Sequence, residues 1–368
     1  KKGIKQRLTP NSSQRKIAQA VQDFRKDNRS PRIYVLKGRQ RGISTWTSGF
    51  TFSEAYNNDN ASAITLTHLN NVSTELLNKM KYFYDNLPGP LQMPYSRCNE
   101  LEIGWKHNNS SVLIGSADNL SVIHGRTVRQ LHCSEISRYK DLEEFLKGAT
   151  QAVPNDPIAW IILESTANGM SHYSYELWKE AERKKNKFLP IFLKWFEDED
   201  ALVAPFKDQH DQDTQLDQAF AEYPELKERM KRYLLPVMGA EEACRRILWY
   251  YDRWLDCHRD NDYCAQEYPC DPEEAFIASG NPFFSMAVVN KQRLVTRPGT
   301  LYDPTIPFTS LSNLTSGLGL IRDREPYLEI FERPIKGRKY LLSADAAMGL
   351  SGRDSSAGVM FDEETGNT

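Results

Sequence analysis

The chain has 368 residues, of which 40% are hydrophobic and 26% charged, and it carries a net charge of −2. That composition fits a soluble globular protein with a sizeable core, organised in about two or three domains. No apolar run approaches the ~18 residues of a membrane helix, and none follows the basic start Lys1 to Arg7, so neither a membrane span nor a secretory signal is expected. The six cysteines lack framework spacing, which fits a reducing cytosol. The small net charge hides an asymmetry. Residues 1–50 hold thirteen Lys/Arg against Asp23 and Asp27, a net of +11, whereas residues 196–280 hold nine against twenty-one Asp/Glu, a net of −12. A basic start beside an acidic middle points to an anionic partner for one face.

In chain order, residues 10–29 read as an amphipathic helix, with Ile17, Val21 and Phe24 at helical spacing and a capping-box-like start at Asn11 and Gln14. It ends by Ser30-Pro31. A short apolar strand, Ile33 to Leu36, runs into Lys37-Gly38-Arg39-Gln40-Arg41-Gly42-Ile43-Ser44-Thr45, and a helix should follow to about Tyr56. Ala61 to Thr67 reads as a buried strand and Thr74 to Leu87 as a helix stopped by Pro88-Gly89-Pro90. Glu100 to Trp105 and Ser111 to Ile114 read as a hairpin. Thr127 to Cys133, Trp160 to Glu164 and Phe188 to Phe192 complete the strands. This alternation argues for an α/β parallel sheet flanked by helices, with the site at the strand C-termini. From Glu197 to about Ser279 the signal is helical, clearest over Ala243 to Leu255. Pro and Gly cluster over 280–307. Tyr327 to Phe331 and Tyr340 to Ser343 then read as strands of a third unit.

Strand, basic glycine loop and helix make the layout in which backbone N–H groups and a helix N-terminus cradle phosphate. The spacing departs from G-x-x-x-x-G-K-[ST]. Ile43 falls where Lys is usual, and Lys37 falls where the first Gly is usual. Lys37, Arg39 and Arg41 can all supply charge to a phosphate, and Ser44, or failing that Thr45, a hydroxyl to Mg²⁺. Ser134-Glu135 closes a strand, as the water-activating carboxylate of a nucleotide-hydrolysing site must. Ser165 and Thr166 close another, where small hydroxyls can sense a γ-phosphate. Arg126 is a candidate arginine finger. Asp345 ends the Tyr340 strand with Asp354 and Asp362 nearby; two-metal phosphodiester cleavage uses strand-end carboxylates, but from several elements, and one strand with the stub after it cannot form such a site. The cysteines contain no C-x-x-C pair, so structural zinc is not expected.

Taken in order, these stretches resemble the large terminase subunit of tailed bacteriophages. Pro10 to Gln14 is similar to the family's adenine-contacting segment, and Lys37 to Ser44 to its deviant phosphate loop. Leu131 to Ser137 is similar to its catalytic strand, and Ser165 to Gly169 to its coupling segment. Phe188 to Trp195, Gln266 to Pro269, Glu274 to Phe276 and Tyr340 to Gly349 also match its pattern. The resemblance covers nearly the whole chain.

It implies a P-loop NTPase-type ATPase domain over 1–195 and a helical lid or linker over 196–285. A connector and the first strands of an RNase-H-like nuclease would occupy 286–368. ATP would place its adenine near Gln14 and its phosphates over Gly38 to Gly42, with Lys37 and Arg39 neutralising charge and Ser44 on Mg²⁺. Glu135 would activate water, while Ser165 and Thr166 couple hydrolysis to movement. Asp345 would be the first ligand of a Mg²⁺ or Mn²⁺ nuclease site. Its remaining carboxylates would fall beyond Thr368, so nuclease activity is not expected of this chain. The implied activity is ATP-driven translocation of double-stranded DNA into a procapsid. The implied partners are DNA, the portal ring, the procapsid, a small terminase subunit and further copies of the chain in a ring on the portal. The implied location is the host cytoplasm and transiently the portal, not the mature virion. The competing readings are a helicase-like remodeller and a nucleotide-binding scaffold without turnover.

Overall fold

Asn11 accepts from the Gln14 amide while the Gln14 side chain accepts from the Asn11 amide, and this reciprocal cap starts α1, Ser12–Lys26. Its apolar stripe of Ile17, Val21 and Phe24 is buried. The computed structural model describes residues 9–118, 123, 127–170 and 172–278, with the backbone of 300–302, 328–330, 338–345 and 357–362. The chain divides into two compact units, Lys1–Pro282 and Phe283–Thr368.

In the first unit the strands are β1 Arg32–Lys37, β2 Ser62–Thr67, β3 Tyr95–Cys98, β4 Glu102–Trp105, β5 Ser110–Ser116, β6 Gln130–Ser134, β7 Trp160–Ser165 and β8 Leu189–Leu193. They form one sheet in the order β3-β4-β5-β2-β6-β7-β1-β8. All neighbours from β5 to β8 are parallel, whereas β3, β4 and β5 pair antiparallel. Every residue of β1 and β7 is buried, as expected of central parallel strands covered on both faces. The helices between strands are α2 Ile43–Asn57, α3 Asn70–Asp85, α4 Leu142–Ala152 and α5 Tyr173–Glu182. One face packs α1 onto Ile33, Val35, Trp160 and Ile191, and α2 and α3 onto Ala63, Trp105 and Val112. The other packs α4 and α5 onto Tyr34, Leu131, Ile161 and Leu163.

After β8 the described chain is helical: α6 Gln209–Glu222, α7 Glu225–Arg229, a π-turn Met230–Leu234, α8 Ala240–Asp256, α9 Asn261–Glu267 and α10 Pro272–Ala278. This stretch has its own core, in which Trp195 meets Tyr250 and Trp249, and Tyr223 stacks on Trp254. Phe276 of α10 belongs instead to the sheet core, edge-on to Tyr175.

Several expected boundaries move. The third helix starts at Asn70 rather than Thr74, because Ser73 already donates its N–H to Leu69 in helical register. The sixth strand starts at Gln130 rather than Thr127, since the Val128 N–H is spent on the Ala152 carbonyl at the end of α4. β3 was not expected at all. It pairs only with β4 and only Tyr95 is even partly buried, so it lacks the apolar alternation that marks a strand.

In the second unit Thr300–Tyr302 pairs antiparallel with Leu328–Ile330, and Tyr340–Asp345 with Ala357–Asp362. Asp345 faces Ala357 in register while Asp362 faces Tyr340. The two acids therefore stand at opposite ends of the ladder, roughly 17 Å apart at ~3.4 Å per residue. Asp362, near Asp345 in sequence, is therefore not beside it in the ladder. Asp354 lies outside the described residues.

Candidate functional site

Because β6, β7 and β1 run parallel side by side, their last residues, Ser134, Ser165 and Lys37, emerge at one edge of the sheet. In open α/β sheets that edge is where ligands bind. The chain leaves β1 through Gly38–Gly42 and enters α2. Gly42 has φ +67°, a left-handed turn into the helix that a side chain occupies only with strain.

Lys37 is the centre of the site. Its ammonium lies 3.0 Å from Glu135 Oε1 and 3.9 Å from Glu164 Oε2, with only 7% of the residue exposed. Burial disfavours its charge, but Glu164 and then Glu135 outweigh burial and raise its pKa. Glu164 is wholly buried on β7, and His132 Nε2 is 3.1 Å from its Oε1. Burial pushes the Glu164 carboxyl up. Lys37, with His132 and Ser44, more than reverses this and holds it at about 2.

Glu135 follows β6 in a left-handed conformation, φ +57° and ψ +50°. For a residue with a side chain this conformation costs roughly 1–2 kcal/mol. It turns the carboxylate off the strand axis toward Lys37. On the other side, Thr166 offers its N–H at 3.4 Å and its hydroxyl at 3.3 Å to Glu135 Oε2. Ser165 Oγ donates to Ser137 Oγ at 2.7 Å and accepts from the Ser137 N–H. Asn168 Nδ2 donates to the Ser137 carbonyl. The turns after β6 and β7 are thereby joined.

The loop is closed from outside by the end of α9. Arg39 donates its N–H to the Glu267 carbonyl at 3.0 Å, and its Nε lies 2.6 Å from Glu267 Oε2. A Cβ on Gly38 would sit 2.6 Å from that carbonyl, so glycine is required for this approach. The Glu267 carboxyl is pushed up by burial, offset in part by Arg39, with the nearby Glu135 charge adding to the rise.

Not every loop residue faces the site. The expectation that Arg41 approaches a phosphate is corrected: its guanidinium turns beneath α1, to Asp198 at 2.7 Å, Ser13 Oγ at 2.6 Å and the Trp195 carbonyl. It is a buried brace between α1 and the start of the helical stretch. Both ends of the Gln14 amide are engaged, one by the Asn11 N–H at 3.0 Å and the other by the Gly42 carbonyl at 2.9 Å. Ile43 is buried, Gln40 is exposed in a left-handed turn, and Ser44 and Thr45 are half-buried in the first turn of α2. Arg126 and the side chain of Asp345 lie outside the described residues.

Glu164 and Glu267 had no role assigned from sequence. A signal for Glu164 was present, since a lone acid in the apolar run Trp160 to Leu163 has to be paired. Nothing local pointed to Glu267. Among the described residues no group of three or more His, Cys, Asp or Glu could hold a metal, and no helix is long and apolar enough to cross a membrane. The fit to Mg²⁺ is of a different kind. Glu164 Oε2 is buried without a hydrogen-bond partner, and the Ser44 hydroxyl acts on the same carboxylate. Hydroxyl and carboxylate oxygens are hard donors, and Mg²⁺ takes one or two of them together with substrate phosphates.

A mostly parallel sheet flanked by helices, with a basic glycine loop and a strand-end glutamate paired to a lysine at the strand C-termini, defines an α/β protein of the doubly covered open-sheet class. Within that class the chain is similar to solved structures of bacteriophage large terminases. With the bacteriophage HK97 large terminase it shares 14% identity at a TM-score of 0.48, covering 99% of this chain and 62% of that one. With the large terminase of a thermophilic bacteriophage the values are 11%, 0.42, 59% and 51%. With the large terminase ATPase domain of a Thermus phage they are 13%, 0.36, 65% and 92%. At such identities the likeness is one of fold, and the chain spans between about half and three-fifths of the first two. No protein-family model and no curated protein matches it.

Proposed function

We propose that this chain binds and hydrolyses ATP at the edge formed by β1, β6 and β7, and that hydrolysis drives translocation of double-stranded DNA as in phage packaging. The carrying observation is Lys37 held between Glu135 and Glu164 at the mouth of a glycine loop. An arriving phosphate competes with Glu135 for the Lys37 ammonium. Glu135, freed of that pair and held by Thr166, accepts a proton from the attacking water. Glu164 keeps hold of the lysine throughout and fixes its position. Ser44 and Glu164 are the residues that would hold Mg²⁺ beside the phosphates, and the ion would supply charge neutralisation there. The Ser165–Ser137 bond carries displacement of the Glu135 turn into the end of β7.

Gln14 reaches adenine only by giving up its bond to Gly42, and the phosphates reach the loop only when Glu267 gives up Arg39. Arg126 is proposed as an arginine finger from its position in sequence ahead of the Glu135 strand, and Asp345 as a nuclease metal ligand on the family resemblance alone. The same holds for the portal ring, procapsid, small terminase subunit and ring of copies as partners, and for the host cytoplasm as location.

The test is ATP hydrolysis with and without duplex DNA. Mg²⁺-dependent turnover that rises with duplex is expected. ATP binding without turnover would favour the scaffold reading, and strand separation would favour the helicase. A second expectation concerns Glu267. Its pair with the half-exposed Arg39 is worth about 0.2–1 kcal/mol, so Glu267→Ala should tighten binding of a fluorescent ATP analogue by a factor of about 1.4 to 5. Unchanged or weaker binding would show that the lid glutamate does not compete with nucleotide.

A further inference from the structure

A cleft of about 1740 Å³ runs along the free edge of β8, from the loop after α5 to the start of the helical stretch. Its rim is basic. Lys16 of α1, Arg29 after α1, Lys184 and Lys187 between α5 and β8, and Lys194 after β8 all line it, against only Asp23 and Glu182. Both acids have partners already: Asp23 takes Gln19 and Lys26, and Glu182 takes Lys179. Two of the cations are in exposed pairs as well, Lys16 with Glu197 at 3.4 Å and Arg29 with Asp27 at 2.8 Å, which still leaves the cations in excess. Arg32 lines the floor, bound to the Val153 and Pro154 carbonyls through Nη2, while its buried Nη1 has no partner. The cleft thus carries a net positive charge in a chain whose total is −2.

We infer that this cleft takes the phosphodiester backbone of duplex DNA, an inference that rests on the translocase reading and assigns it a contact surface. Three observations select this occupant. The cations come from separate elements spread along β8, a span of roughly 16 Å at ~3.3 Å per residue, as a repeating row of phosphates requires. Single-stranded nucleic acid is bound by stacking bases on exposed rings, but of the three rings here Phe24 and Phe188 are buried in the floor and Phe192 is half-buried and packed against the sheet core. A peptide adding a strand to the open edge needs its free N–H and C=O groups. Pro190 supplies no N–H, and Lys16 Nζ already takes the Phe192 carbonyl at 3.3 Å, which blunts the edge. Contacts of this kind fix the duplex without reading its sequence. They also place DNA against β8, which pairs directly with β1, the strand that ends in Lys37.

The test uses K184E/K187E, two exposed positions away from the nucleotide loop. Duplex binding is followed by fluorescence anisotropy over a range of salt, beside ATP hydrolysis without DNA and sedimentation of the protein alone. The variant should bind any duplex sequence roughly tenfold more weakly, with a log–log salt slope smaller by about two, while basal hydrolysis and sedimentation stay unchanged. Wild-type affinity and slope in the variant would overturn the assignment. Intact DNA binding with lost self-association would overturn it in favour of a contact between copies of the chain. If the wild type itself binds no duplex at low salt, the translocase reading fails, and that outcome is distinct from failure of the cleft.

Discussion

Glu135→Gln should lower ATP hydrolysis by about 10²–10⁴-fold, the usual worth of a general base, while leaving ATP binding within about threefold of wild type. The substitution keeps the shape of the side chain and its acceptor oxygen toward Thr166, which lies 3.3–3.4 Å away. It removes the charge that pairs with Lys37 at 3.0 Å. Under the proposed function that pair opens before a phosphate takes the lysine, so its loss should not weaken binding. Steady-state hydrolysis and equilibrium titration of an ATP analogue check the two halves separately. Equal turnover in both proteins would remove Glu135 from the mechanism.

The second large effect follows from Lys37→Ala. Glu164 has no exposed surface, and Lys37 is foremost among the groups that lower its pKa. Removing one partner of a buried pair costs about 3–5 kcal/mol, because a charge is left uncompensated. The same pair sets a pH dependence. Glu164 falls from 4.5 in its ordinary state to about 2 in the folded chain, a shift worth roughly 3 kcal/mol. A depressed carboxyl contributes above its unfolded pKa, so this stabilisation is full above about pH 5 and is lost as pH falls toward 2. Lys37→Ala should therefore lower the denaturation midpoint at neutral pH and flatten the acid limb of the stability curve. Adding Glu164→Gln should return part of the loss, since a neutral amide needs no counter-charge. A double variant no more stable than Lys37→Ala alone would show that the two residues are not energetically coupled.

Much of this arrangement was legible in the sequence because it is local. An apolar run ending in a basic glycine loop gave β1 and the start of α2. Ser134-Glu135 and Ser165-Thr166 stood at strand ends, and a parallel sheet brings such ends together without any further signal. What stayed hidden depends on where long side chains point after the chain has folded. By residue type Lys37, Arg39 and Arg41 can all supply charge, and only the family resemblance singled out Lys37 and Arg39. In the structure one lies between two glutamates, one is held by Glu267 and one runs beneath α1. Glu164 looked like the tail of a strand, because its meaning comes from Lys37 across the β1–β7 pair and from His132 on β6. β3 has too little buried surface to leave a pattern. Glu267 lies far along the chain from the loop it covers, and no periodicity reports such a contact.

The grip of Glu267 on Arg39 has a consequence for how the loop responds to its surroundings. The carboxylate is part of the same chain, so its local concentration at the loop does not fall when the protein is diluted. Any free anion competes with a tethered rival of constant strength. Loop occupancy is then governed by the concentration of the free anion relative to that constant, and it is indifferent to how much protein is present. Salt screens a half-exposed ion pair, so raising ionic strength weakens the tethered rival and the incoming anion together, which buffers their ratio.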